Sequence, residues 1–240
     1  MLGLVIGAII GILGSIGTAF FVEYMRRPRL RLSIEKPELD NRYTLQQPAQ
    51  LARFLRVYLE NKPLPRWVGW MVGAPALQCR ATITFHHLND GQKVFDKTMT
   101  GRWSGSPEPV ALPVVGPQGQ QFQLIDFSRF NIESRIDVYP GERELLDIAV
   151  RFDNDDECYG WNNEANDDEC YGWNNEAYFC QPMWRNPAWK LDKGRYLVKV
   201  IITSSGQKCI DFFRISNDVT RTDFRLDPAT PTERNRVVAT

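Results

Sequence analysis

Leu2–Val22 constrains this chain more than any other stretch. It holds no charge and no proline, and nothing more polar than Ser15 and Thr18. As a helix it reaches about 31 Å at about 1.5 Å per residue, the thickness of a bilayer core. Beyond Glu23 the sequence becomes charged, mixed and punctuated by turn residues. The expected organisation is one transmembrane helix carrying one globular body. A cleaved signal peptide fits poorly, because no Lys or Arg precedes Glu23 and Gly17-Thr18-Ala19 is a poor cleavage site. A core helix of this length without a polar face would be unusual in a domain this small.

Two patterns sit on the span. Gly3, Gly7, Gly11, Ser15 and Ala19 recur every four positions and form one stripe. Such stripes let helix backbones approach closely, so self-association or pairing with another membrane helix is expected. On the opposite surface Leu4, Val5, Ile6, Ile9, Ile10, Ile12, Leu13 and Ile16 suit lipid. Arg26, Arg27, Arg29 and Arg31 follow the span and only the α-amino group precedes it. The positive-inside rule then places the body in the cytoplasm, and the arginines reach anionic headgroups or act simply as a stop signal.

The whole chain balances 29 basic against 29 acidic residues, which argues against a nucleic-acid binder. Five cysteines, an odd number without a CxxC pair, make a poor disulfide framework and a poor zinc site. They suit a reducing compartment. No phosphate loop, nucleophile elbow or HExxH occurs, and the two histidines, His86 and His87, are neighbours that a strand turns to opposite faces. No catalytic residue, metal site or cofactor is expected, and the chain reads as a non-enzyme.

After the anchor (1–25) the pattern is that of strands. RLRLSIE (29–35), ARFLRVYLE (52–60), Leu77–Leu88, Ser134–Val138, Leu145–Phe152, Arg195–Thr203 and Cys209–Ser216 carry the period of two or the β-branched content of strands. Asn89-Asp90-Gly91, Pro140-Gly141 and Ser204-Ser205-Gly206 supply turns. A return strand is expected over Lys93–Met99, a long connection over Ser104–Gln120, a short strand or helical turn over Gln121–Phe130, and a last short strand near Phe224 and Leu226. The apolar stretch Arg66–Ala76 (RWVGWMVGAPA) is too short to cross the membrane again. We favour a loop folded over the end of the core, the alternative being a patch on the membrane interface, where tryptophan is favoured. The absence of an amphipathic helix after the anchor predicts an all-β fold, an antiparallel β-sandwich over 26–227, followed by a loose polar tail over 228–240.

LDKGRYLVKV (191–200) resembles the Leu-x-x-Gly-x-Tyr-x-Val-x-Val pattern of immunoglobulin-like and fibronectin-type sandwiches. The resemblance implies an immunoglobulin-like fold in which the Tyr196 hydroxyl bonds back to the chain at a corner. Sandwiches of this kind host many functions, so no activity comes with it.

NDDECYGWNNEA occurs at 154–165 and again, unchanged, at 166–177. A solenoid period would drift in sequence and recur more often, so a recent tandem duplication or an artefact of sequence assembly is the plainer reading. A sheet core cannot absorb such an insertion, whereas a surface loop can. The segment between Phe152 and Tyr178 is therefore expected outside the core. Its carboxylates lack the spacing of an EF-hand loop, which argues against calcium. Tyr159, Trp161, Tyr171 and Trp173, with Trp184 and Trp189 nearby, suggest an aromatic binding surface for a protein or a sugar.

These features predict a single-pass membrane protein whose cytoplasmic sandwich is a protein-binding or assembly module. Its partners would be the membrane, further copies of the chain or another membrane helix, and a protein. Two alternatives are an extracytoplasmic carbohydrate-binding module and an oligomerising membrane effector.

Overall fold

The computed structural model describes residues 2–36, 52–68, 70–105, 111–115, 119, 121–125, 135–152, 158–160, 189–217 and 223–238. Helix α1 (Leu2–Arg26) continues one turn past the uncharged run. Of its residues, Ile9–Arg26 make a window long and apolar enough to cross a membrane, and only 6% of that window is buried.

Two antiparallel sheets follow. One orders β1 (Leu30–Ile34), β2 (Ala52–Asn61), β9 (Arg143–Phe152), β10 (Cys158–Gly160) and β11 (Lys190–Leu191), with β5 (Arg102–Trp103) also pairing β9. The other orders β14 (Arg225–Pro228), β13 (Gln207–Asn217), β12 (Gly194–Ser204), β3 (Ala76–His87) and β4 (Met99–Thr100), with β8 (Arg135–Val138) also pairing β3. A separate hairpin joins β6 (Ala111–Val115) to β7 (Gln121–Ile125). The strands expected over 29–35, 52–60, 77–88, 134–138, 145–152, 195–203 and 209–216 thus form, with ends shifted by one or two residues.

The period of two explains what each strand buries. In β3, Cys79, Ala81, Ile83 and Phe85 are buried while Gln78 and Arg80 are exposed. They meet Val198, Val200 and Ile202 of β12, and Leu55, Val57 and Leu59 of β2, in a single hydrophobic cluster. Burying each valine, leucine, isoleucine or phenylalanine among them contributes roughly 1.5–3 kcal/mol. The chain steps from β4 in one sheet to β5 in the other through Gly101. A Cβ there would lie 2.7 Å from the Ala81 Cβ and 2.8 Å from Leu146 Cδ1, so only glycine lets the backbone pass. Trp103, just beyond, is fully buried.

Four expectations need correction. Lys93–Met99 is not a return strand: Lys93 bridges to His86, and the chain then bends so that Phe95 stacks edge-on against Phe85 and Trp189. The connection 104–120 is not all loop, since β6 lies within it. The repeat is not wholly outside the sheets. Cys158–Gly160 of its first copy pairs with both β9 and β11; the second copy lies outside the described residues. Trp189 is not on an aromatic surface, because it is only 4% exposed and belongs to the main core cluster.

The tail differs as well. Pro231–Val238 is a helix, α2, started by a reciprocal cap. The Thr230 hydroxyl accepts from the Glu233 amide at 3.3 Å, and Glu233 Oε2 accepts from the Thr230 amide at 2.7 Å. Pro231 fills the first helical position, where its missing N–H costs nothing. Burial alone would raise the Glu233 carboxyl. The Thr230 amide and hydroxyl and the Arg214 guanidinium outweigh it and hold the group below its ordinary value. The stability this adds is therefore present above the unfolded-state pKa and fades as pH falls through the folded one.

Candidate membrane-proximal site

Helix α1 ends among residues that tie it to the body. Asn61, at the end of β2, is 1% exposed. Its Oδ1 accepts from the Arg29 amide at 3.0 Å. Its Nδ2 donates to the carbonyls of Ala74 (3.1 Å) and Val138 (3.0 Å). Its own amide donates to the Glu142 carbonyl and its carbonyl accepts from Gly141. Every polar group of Asn61 is thus used, joining the exit from α1, the 66–76 loop and the β8–β9 turn. That turn has Pro140 second and Gly141, at φ +89°, third, and the Glu142 amide closes it onto the Tyr139 carbonyl. The Ala74 amide donates to the Arg26 carbonyl at 2.7 Å, satisfying one of the carbonyls that the end of α1 leaves unpaired.

The loop between β2 and β3 packs against α1 and not over the main core. Val68, in a short 3-10 turn (Arg66–Val68), and Met71 are buried against Met25, with Val22 and Leu64 beside them. This differs from the favoured expectation because Met25 offers the loop an apolar seat outside the sheets. Trp67, Trp70 and Val72 face outward, 70%, 75% and 77% exposed. Arg26, Arg27, Arg31 and Arg66 are also exposed, whereas Arg29 is half-buried and donates to the Met25 sulfur at 3.8 Å.

On α1, Gly7, Gly11, Ser15 and Ala19 lie exposed as the stripe requires, and Gly3 is within the same helix. A Cβ added at Gly7 or Gly11 would meet nothing within 4 Å. The hydroxyls of Ser15 and Thr18 donate to the carbonyls of Gly11 and Gly14, at 2.9 and 2.8 Å, and so are satisfied inside the helix. Gly11, Gly14, Ser15, Thr18 and Ala19 line one shallow groove, bordered by Ile10, Val22 and Glu23. The period of four missed Gly14 and Thr18; adding the i+3 neighbours of a helix face would have found them.

Of the aromatic residues proposed for a binding loop, Tyr159 has its backbone paired with Val150 and Lys190. Trp161, Tyr171, Trp173 and Trp184 lie outside the described residues. Among the described residues, no group of three His, Cys, Asp or Glu side chains gathers as a metal site. Burial raises the thiols of Cys79 and Cys209 and so disfavours the thiolate that a nucleophile needs. Burial lowers His86, whose ring nitrogens meet the Gly91 carbonyl at 2.8 Å and the Thr84 hydroxyl at 3.0 Å, whereas His87 is exposed. Compared with protein-family models, with curated proteins and with solved structures, the chain matches none of them.

Proposed function

We propose that this chain is a single-pass membrane protein whose cytoplasmic body, an immunoglobulin-like sandwich, works as a protein-binding or assembly module. Copies associate through the small-residue face of α1. The observation that carries this reading is that face: exposed, lined by Gly11, Gly14, Ser15, Thr18 and Ala19, with both hydroxyls already bonded within the helix. Neither hydroxyl is left for lipid or a partner helix to satisfy, and the charged residue of the groove, Glu23, lies at its end beyond the uncharged run. The sandwich reading is supported by two antiparallel sheets sharing one cluster, and by the Tyr196 hydroxyl donating to the Asp192 carbonyl at 3.0 Å, four residues upstream. Burial of Trp189 takes one ring from the aromatic surface that a carbohydrate-binding reading needs.

Association is tested by energy transfer between donor- and acceptor-labelled full chains in vesicles. Gly7→Leu/Gly11→Leu is expected to weaken it markedly, because leucine side chains hold apart backbones that the glycines let approach. Leu13→Phe, on the opposite side, should leave it unchanged. Equal transfer in the double variant removes the stripe from the interface.

Orientation rests on the arginines that follow α1. A cysteine placed at exposed Asn89, in the turn after β3, reports it. With an impermeant thiol reagent, Asn89→Cys should add label over the parent chain only after cell lysis. Added label on intact cells puts the body outside and favours the carbohydrate reading.

A further inference from the structure

The exposed side of the 66–76 loop is apolar, and its other side is fixed to α1. Val68 and Met71 touch Val22 and Met25, the last turns of the helix. Whatever depth those turns occupy, the loop shares it to within a few ångströms. Val22 to Arg26 rises only about 6 Å. If α1 spans, the uncharged run ends at Val22, so this turn lies where the acyl region gives way to headgroups. Tryptophan is enriched at that depth because its ring is apolar and its N–H is polar.

We propose that this loop is a second membrane contact, with Trp67, Trp70 and Val72 seated in the headgroup boundary of the leaflet that the C-terminal end of α1 crosses. The inference rests on the reading of α1 as a span. The occupant is phospholipid because the loop is packed on the end of α1, where the helix itself exposes apolar side chains. Tyr24 on the helix is 67% exposed and Phe21 49%. Arg26, Arg27 and Arg66 are exposed around the same end, suited to phosphate groups. The Asn61 bonds and the Ala74–Arg26 bond hold the loop against the helix, so the body has two fixed points on the bilayer. One point would let it swing about the helix exit; two give it one orientation, and present the same side of the body to any partner.

Lipid-borne quenching reads this directly, because α1 contains no tryptophan. The full chain is reconstituted in vesicles of phosphatidylcholine and phosphatidylglycerol, with or without bromine on the upper acyl chain. Brominated lipid should lower tryptophan emission by about a quarter, the share of two interfacial rings among the seven of the chain. Trp67→Phe/Trp70→Phe should abolish most of that drop, and both positions are exposed enough to change without disturbing the fold. Undiminished emission, from chains that survive an alkaline wash of the vesicles, overturns the loop contact and leaves the span intact. Chains released by the wash overturn the span and the contact with it. A drop that persists in the double variant assigns the lipid contact to other tryptophans and overturns the proposal. So does a blue-shifted emission that ignores bromine and grows with protein density, which would place a second copy on the loop.

Discussion

Replacing Asn61 with leucine is expected to cost the body about 3–5 kcal/mol. Leucine keeps the volume and removes the three side-chain bonds to the Arg29 amide and to the Ala74 and Val138 carbonyls. Those backbone groups stay in place, and a buried group left unpaired costs ~1–3 kcal/mol. The loss is read as the urea midpoint of the full chain in detergent micelles, with an unchanged slope. It should be uneven across the molecule. Amide exchange at Arg29 and at the 70–76 loop should quicken, while the paired centres of β12 and β13 stay protected up to the new global limit. Asn61→Asp is the sharper variant. It keeps the acceptor for Arg29 but has no donor for the two carbonyls, so it should lose most of the same stability at neutral pH. A leucine variant within about 1 kcal/mol of the parent would show that this junction is water-accessible and that the body is not held to α1 through Asn61.

The strands were legible because their period is local. Cys79, Ala81, Ile83 and Phe85 alternate with polar neighbours whatever lies across from them, and the expected and observed β3 agree to one residue. The tyrosine at 196 was legible for a similar reason: its hydrogen bond reaches only to Asp192. Three kinds of feature did not show. β6 was obscured by the proline, glycine and serine around it, and by Pro113 inside it. α2 has a polar surface, so periodicity said little, yet Thr230-Pro231-Thr232-Glu233 is a capping box that a search for helix starts would have found. The Asn61 junction had no local signal at all. Its partners at 29, 74, 138 and 142 come together only when β1, β2 and the β8–β9 turn are in register. The stripe on α1 was readable from spacing, whereas the seat of the 66–76 loop on Met25 depended on where the chain turns after the helix.

Asp147→Ala is expected to be the other severe change, about 3–5 kcal/mol, because it breaks a buried ion pair from one side. Asp147 is 1% exposed and faces away from the main core, opposite Arg56 across the β2–β9 pairing. Its Oδ1 accepts from Arg56 Nε at 2.8 Å and from the Ser104 hydroxyl at 2.7 Å. A register shift beside Arg56 brings the pair about: Leu55 pairs with Ala149 and Arg56 with Asp147, so Ile148 is skipped. Arg56 also lies over the Phe54 ring at 4.8 Å and 3.9 Å from Glu35, itself bonded to the Tyr58 hydroxyl. Removing the carboxylate leaves the guanidinium in a site where 13% of its side chain meets solvent. The rise in free energy should therefore come from an arginine whose charge is less well compensated, with Glu35 at 3.9 Å, more than from the lost bonds. A double-mutant cycle separates the two. If the less compensated charge dominates, Arg56→Met in the Asp147→Ala background should recover at least ~1 kcal/mol, although it removes still more polar contact. If the second substitution only adds to the first, the pair is solvated in solution and Asp147 contributes no more than a surface ion pair, below ~1 kcal/mol. The cycle also tests the bulge, since only the skipped Ile148 sets Arg56 and Asp147 face to face.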